Sequence, residues 1–193
     1  MESAIFGFVV AGLVVGFIVG MTGVGGGSLM TPILLWFGIN PATAVGTDLL
    51  YAAITKSSGV LVHRKNQNID WGITGWLTLG SVPAAALTLW FLHTLHADTQ
   101  ALNALIKQAL GFVLLLTALA VFFKKQLLAF ATQHAGDRFH ASGATLKVLT
   151  VVTGAVLGIM VSLTSIGAGA LGTVALFMLY PLLPTRRLVG TVI

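Results

Sequence analysis

The sequence predicts an all-α, polytopic integral membrane protein made of two homologous halves, each opening on a helical hairpin broken at glycine. Three observations predict it: the composition, the spacing of the charges and an internal repeat. Of 193 residues, 56% are hydrophobic and 8% charged, whereas a soluble domain carries about 25% charged residues. A mean hydropathy of +0.98 points the same way. With no cysteine in the chain, disulfides, thiol catalysis and Cys-based metal sites are excluded. The net charge of +5 would suggest nucleic acid in a soluble protein. Here the basic residues fall between apolar runs, where they orient a chain in a bilayer, so nucleic acid is not expected as a partner.

The fifteen charged residues divide the chain. Uncharged stretches of 45, 27, 16 and 38 residues separate Glu2 from Asp48, Asp70 from Asp98, Lys107 from Lys124 and Lys147 from Arg186. One crossing needs about 20 apolar residues, so the middle two stretches fit one span each, residues 71–93 and 102–123. The first stretch is too long for one straight helix, since its residues would reach about 67 Å at 1.5 Å per residue. It must break or turn back.

The break is visible at Met21-Thr22-Gly23-Val24-Gly25-Gly26-Gly27-Ser28, with Pro32 just beyond. Each glycine costs about 1 kcal/mol in a helix interior. The pattern predicts a helix over 4–20, unwound chain over 21–28, a half-helix over 29–37, a turn at Asn40-Pro41 and a span over 42–62. The amino-terminal run lacks a basic region and a small-residue cleavage site, so it reads as a helix of the mature chain and not as a signal peptide. Pro83 is expected to kink its span, and Trp71, Trp76 and Trp90 to anchor that span at the interfaces.

A shift of 142 residues lays Val9–Phe37 over Val151–Leu179 with twelve identities in 29 positions, including Gly12/Gly154, Gly16/Gly158, Thr22/Thr164, Gly25/Gly167, Gly27/Gly169 and Thr31/Thr173. Val45-Gly46-Thr47 then matches Val189-Gly190-Thr191. The organisation read from this is a first transmembrane repeat over 1–123, a basic cytoplasmic loop over 124–147, and the start of a second, incomplete repeat over 148–193. The shortfall suggests a fragment in preference to a natural truncation. With Arg64-Lys65, the 124–147 loop and Arg186-Arg187 all cytoplasmic, segments 4–37 and 148–185 return to the side they left as hairpins, and the repeat is inverted. A parallel repeat would put two arginines outside.

Unwound backbone inside a bilayer is tolerated where it is buried in protein or lines a cavity. Freed N–H groups at the start of a half-helix suit an anion, and paired glycine-broken segments point to a transporter's central site. The competing explanation is close helix packing by small residues, which is the reading preferred for Gly12-xxx-Gly16-xxx-Gly20. Asp48 and Lys56 are the charges well inside a span, where ionisable residues are functional candidates. They lie about 12 Å apart along a helix axis, too far for a direct pair. Lys56, beside Thr55, Ser57 and Ser58, would attract an anion or else snorkel toward Arg64; Asp48 would cap a helix, hold a proton or pair with another segment. The histidines show no metal-ligand pattern, and no Ser/His/Asp arrangement or carboxylate pair suggests an enzyme.

These motifs resemble the sulfite exporter TauE/SafE family, also called the toluene sulfonate uptake permeases. The resemblance rests on Gly23-Val24-Gly25-Gly26-Gly27-Ser28 with Pro32, Ala44-Val45-Gly46-Thr47-Asp48-Leu49, Lys56, Asp70-Trp71, and the second-copy segments Ser165-Ile166-Gly167-Ala168-Gly169 and Val189-Gly190-Thr191. It implies a multi-pass transporter of the plasma (inner) membrane, usually bacterial, that moves sulfur-containing anions. Val192 stands where members commonly carry Asp.

The sequence reading is therefore a secondary transporter of small anions such as sulfite or organosulfonates, with no cofactor. Thr22, Gly25, Gly26, Gly27, Ser28, Lys56, Thr164, Gly167, Ala168 and Gly169 are the candidate binding residues and Asp48 the coupling candidate. The bilayer and the small anion are the expected partners, and a homo-oligomer is left open. The alternative is a membrane scaffold or subunit, or an inactive fragment, that transports nothing.

Overall fold

The computed structural model describes residues 2–22, 27–94, 99–133 and 143–192, and all regular structure within them is helical. The first half contributes α1 (Glu2–Thr22), α2 (Gly27–Trp36), α3 (Pro41–Lys65), α4 (Trp71–Thr94) and α5 (Thr99–Phe122). They are followed by α6 (Lys124–Gln133), α7 (Gly143–Thr164), α8 (Ala170–Leu179) and α9 (Thr185–Val192). Among the described residues, α4, α5 and α7 are long and apolar enough to cross a membrane, and α2 and α8 are shorter apolar helices. Of the other two long helices, α1 has a shorter apolar stretch over Val9–Val19, and α3 carries Asp48, Lys56 and a basic last turn of His63, Arg64 and Lys65. The structure is that of a polytopic membrane protein.

Helix starts follow local chemistry. The Asn40 side chain accepts from the Ala42 amide at 3.0 Å and Pro41 supplies a first residue that needs no donor, so α3 begins there. Asp70 Oδ1 accepts from the amides of Gly72 and Ile73 at 3.1 and 3.2 Å, which caps α4.

Both glycine-broken segments are hairpins. Val15 on α1 shares a buried cluster with Met30 and Leu34 on α2, and the Phe37 ring comes within 3.7 Å of where a Gly7 Cβ would lie. On a continuous helix Val15 and Leu34 would be about 28 Å apart, so α2 runs back along α1. In the second copy Leu157 and Leu171 share a cluster, and the Thr150 and Tyr180 hydroxyls hydrogen-bond at 2.7 Å, closing α8 onto α7. The boundaries keep the register of the repeat: α1 and α7 end at Thr22 and Thr164, and α3 and α9 begin at Pro41 and Thr185.

The halves are joined chiefly by α4 against α7. A Cβ on Gly80 would run into the Val151 carbonyl, one on Gly154 into the Leu77 carbonyl, and one on Gly158 into the Ser81 carbonyl. Backbone therefore lies on backbone, as small residues allow in membranes. In the first copy the expected packing role is narrower. Gly16 faces the Tyr51 hydroxyl, 3.0 Å from its Cβ position, whereas a Cβ on Gly12 would meet nothing within 4 Å; the surroundings of Gly20 lie outside the described residues.

One stretch read as loop is helical. In α6 the apolar positions Leu127 and Ala131 are one turn apart and Ala131 is fully buried, while Lys124 and Lys125 are exposed. The stripe packs α6 against α8, and this one-sided pattern outweighs the basic start. The residues around Asp98, His96, His134, Arg138 and His140 lie outside the described residues. On α4, the apolar side chains of Trp71, Leu79, Val82, Leu87 and Trp90 are exposed, as suits a lipid-facing helix.

Candidate functional site at the meeting of the hairpin tips

The two breaks meet. A Cβ on Gly27, the first residue of α2, would run into the Ser165 carbonyl at the end of α7 and lie 3.2 Å from Asp48 Oδ2. Only glycine allows the tips this approach. Ser165 holds φ at 60° and Gly167 at 120°, the left-handed conformation that turns the chain out of α7. Thr164 stabilises that exit: its hydroxyl donates to the Met160 carbonyl at 2.7 Å and accepts from the Ile166 amide at 3.2 Å.

Beside this contact is a cavity of about 170 Å³, bordered by Gly27 and Ser28 from the first tip, by Ser165 through Ala170 from the second, and by Leu49, Ala52, Ala53 and Lys56 along α3. Val161 on α7 and Thr117 on α5 complete the wall. Four of the α3 residues fall at i, i+3, i+4 and i+7, one helix face. Lys56 is half-buried and, among the described residues, has no acidic partner. Its neighbours do not assist it: Thr55, Ser57 and Ser58 are exposed and donate to the carbonyls of Tyr51, Ala53 and Ile54 on their own helix. The amides at the starts of α2 and α8 border the same space, each at the positive end of a helix dipole.

The structure thus gathers Gly27, Ser28, Lys56, Gly167, Ala168 and Gly169 about one cavity. Thr164 is fully buried within the break and is not on the cavity wall. Gly25, Gly26 and the Thr22 side chain lie outside the described residues.

Asp48 is fully buried outside the cavity wall. Thr31 donates to its Oδ2 at 2.6 Å, and the Ser165 hydroxyl is its other side-chain neighbour. Asp48 Oδ1 and Ser165 Oγ each have no hydrogen-bond partner among the described residues. Sequence reading found Asp48 but not its partners. Thr31 was visible as a repeat match, whereas Ser165 aligns with Gly23 and carries no signal of its own.

The model of the family described as sulfite exporter TauE/SafE matches residues 8–193. The chain belongs to the sulfite exporter TauE/SafE family. It is 40% identical over 184 residues to a protein of Bacillus subtilis named probable membrane transporter protein YjnA, covering 95% of this chain and 71% of that one. It is also 27% identical over 168 residues to a protein named as a probable membrane transporter in Methanocaldococcus jannaschii, covering 83% of this chain and 57% of the relative. YunE of Bacillus subtilis, also named a probable membrane transporter protein, is 35% identical over 79 residues, or 40% of this chain and 26% of its own. No solved structure matches significantly. The TauE/SafE chain is accordingly a membrane protein of a transporter family, not an enzyme.

Proposed function

We propose that this TauE/SafE chain forms the substrate-binding part of a secondary transporter for small anions, sulfite or organosulfonates among them, in the plasma membrane. The observation that carries the reading is the single cavity bordered by both hairpin tips and by Lys56. Two helix starts and one ammonium group border a space whose wall is otherwise alanine, glycine, valine, leucine and isoleucine together with Thr117 and Ser165. Such a space holds one small anion with an apolar remainder and disfavours a cation. Asp48, joined to Thr31 and next to the tip contact, is the coupling group.

Inverted insertion of the two hairpins is part of this reading. The first hairpin is rooted near Phe37, by the start of α3, as Gly7 shows. The second is rooted near the end of α3 and the start of α4, where Lys147 lies 5.3 Å from the Trp76 ring and Thr191 accepts from the Asp70 amide. The end holding Arg64, Lys65, Lys147, Arg186 and Arg187 would face the cytoplasm. With no native cysteine, Phe37→Cys and Arg186→Cys should react with impermeant thiol reagents from opposite sides of sealed vesicles; labelling of both from the same side would refute inversion.

The binding test is a thermal-shift panel in detergent with sulfite, sulfate, sulfonates, carboxylates and neutral controls. Selected anions should raise the Tm of the native chain and leave Lys56→Gln unmoved. A flat response from a folded sample would remove the anion site and favour a scaffold.

A further inference from the structure

We infer that Asp48 and Ser165 form a proton-binding site, the Asp48 carboxyl being held as the neutral acid with Oδ1–H donating to Ser165 Oγ across the junction of the two hairpins. This deepens the reading of Asp48 as the coupling group and rests on it.

Four observations converge on the site. Asp48 is fully buried and Ser165 is 8% exposed, and the two unpartnered polar atoms, Oδ1 and Oγ, belong to neighbouring side chains, one on α3 and one at the second hairpin tip. Oδ2 is already occupied by the Thr31 hydroxyl. The third observation is charge. A buried carboxylate needs a cationic partner, and the elements around this one offer none. The described parts of α2, α8 and the 165–169 break contain no titratable residue; α1 has Glu2 at its far end, α5 has Lys107 and α7 has Lys147. On α3 itself are Tyr51, turned toward Gly16, Lys56, two turns away on the cavity wall, and His63, Arg64 and Lys65 in the last turn. The fourth is space. Asp48 is not on the wall of the cavity that Lys56, Leu49 and Ser165 border, and the Gly27 backbone lies against both Oδ2 and the Ser165 carbonyl. A metal ion needs several oxygens around an opening, while a proton needs only the short rotation that brings Oδ1 to Oγ. A proton on Oδ1 satisfies both orphaned atoms and, unlike a Ser165 hydroxyl donated to a carboxylate, leaves no buried charge without a cation.

The site would work as a latch. While the proton is on Oδ1, α3 is hydrogen-bonded to the second tip, Thr31 ties α2 to the same carboxyl, and the Gly27–Ser165 contact is closed. When the proton passes to water, the O–H bond breaks, its electron pair stays on the carboxylate, and a buried negative charge with no cation beside it is left at the junction. The tips then separate and the cavity beside them opens. Removal of the proton, at high pH, therefore favours the open form.

Infrared difference spectra of the native chain, Asp48→Asn and Ser165→Ala in detergent at neutral pH test the proton without any substrate. The native chain should show a protonated-carboxyl C=O band that is absent in Asp48→Asn and moved to higher frequency in Ser165→Ala. Asp48→Asn keeps the shape of the neutral acid and should fold. The latch is read by Ala168→Cys, whose labelling should rise with pH more steeply in the native background than in Asp48→Asn, the latter giving the thiol's own pH dependence. Absence of the band in a folded native sample, equal labelling slopes, or a Tm raised by sodium at fixed pH would each overturn the proposal. A band present in a chain that binds no anion would leave the proton site standing and refute the anion reading alone.

Discussion

Replacing Gly27 by alanine is the sharpest test of how the two hairpins meet. The added Cβ would stand 2.6 Å from the Ser165 carbonyl carbon, closer still to its oxygen, and 3.2 Å from Asp48 Oδ2. For an ordinary contact of 3.4 Å, the carbonyl carbon would have to retreat by about 0.8 Å. This is backbone at a residue already held at φ 60°, so no side-chain rotation relieves the overlap. Overpacking of this size costs about 1–3 kcal/mol, and a chain of this length loses about 2–4 °C in Tm per kcal/mol. Gly27→Ala should therefore melt roughly 2–12 °C below the native chain. Gly12→Ala provides the opposite sign: its Cβ meets nothing within 4 Å, and removing a glycine from a helix interior is worth about 0.5–1 kcal/mol, a rise of roughly 1–4 °C. Thermal unfolding of both variants in one detergent is the assay. Equal melting temperatures would refute the claim that backbone of one tip presses on backbone of the other.

Further outcomes follow from other contacts. Gly154→Leu would drive a branched side chain into the Leu77 carbonyl and should abolish the monodisperse peak in size-exclusion chromatography, while Gly75→Leu, facing open space on α4, should keep it. Thr31→Val removes the hydroxyl held by Asp48 and should cost about 1–3 kcal/mol in thermal unfolding, whereas Thr31→Ser should restore stability. Tyr180→Phe opens the Thr150–Tyr180 clasp and should cost about 0.5–1.5 kcal/mol; adding Thr150→Val should then cost much less than it does alone.

Much of the backbone plan was legible in the sequence because its signals are local. Runs without charge gave the long apolar helices, and the glycine-rich motifs pointed to the ends of α1 and α7. The 142-residue repeat aligned Thr22 with Thr164, where α1 and α7 end, although the first helix was read as stopping at 20 and the half-helix as starting at 29, two residues short of the observed bounds on each side. That the first tip, the second tip and Lys56 would border one space was also legible, since paired breaks in a bilayer must line something polar. The tertiary neighbours were not. Ser165 became a partner of Asp48 only because Gly27 lets two distant segments touch, and no pattern within either segment reports that approach. Thr164 looked like a ligand by its repeat mate, yet its hydroxyl is consumed by the turn it sits in. Gly12 and Gly154 share a motif but not a neighbour, because α4 lies against the second copy and not the first. Helix α6 was masked by its lysines, as its apolar stripe is only two residues deep.

The crossing of α4 and α7 has a mechanical consequence. A seesaw between the halves of a carrier requires two surfaces that slide, and sliding needs side chains able to exchange one set of sockets for another. At Gly80, Gly154 and Gly158 there are no side chains, only carbonyls seated in the neighbouring helix. That seam behaves as a rivet joining one half to the other. Any stroke that exposes the central space would then fall to the contact of Gly27 with Ser165, moving against a frame that stays still.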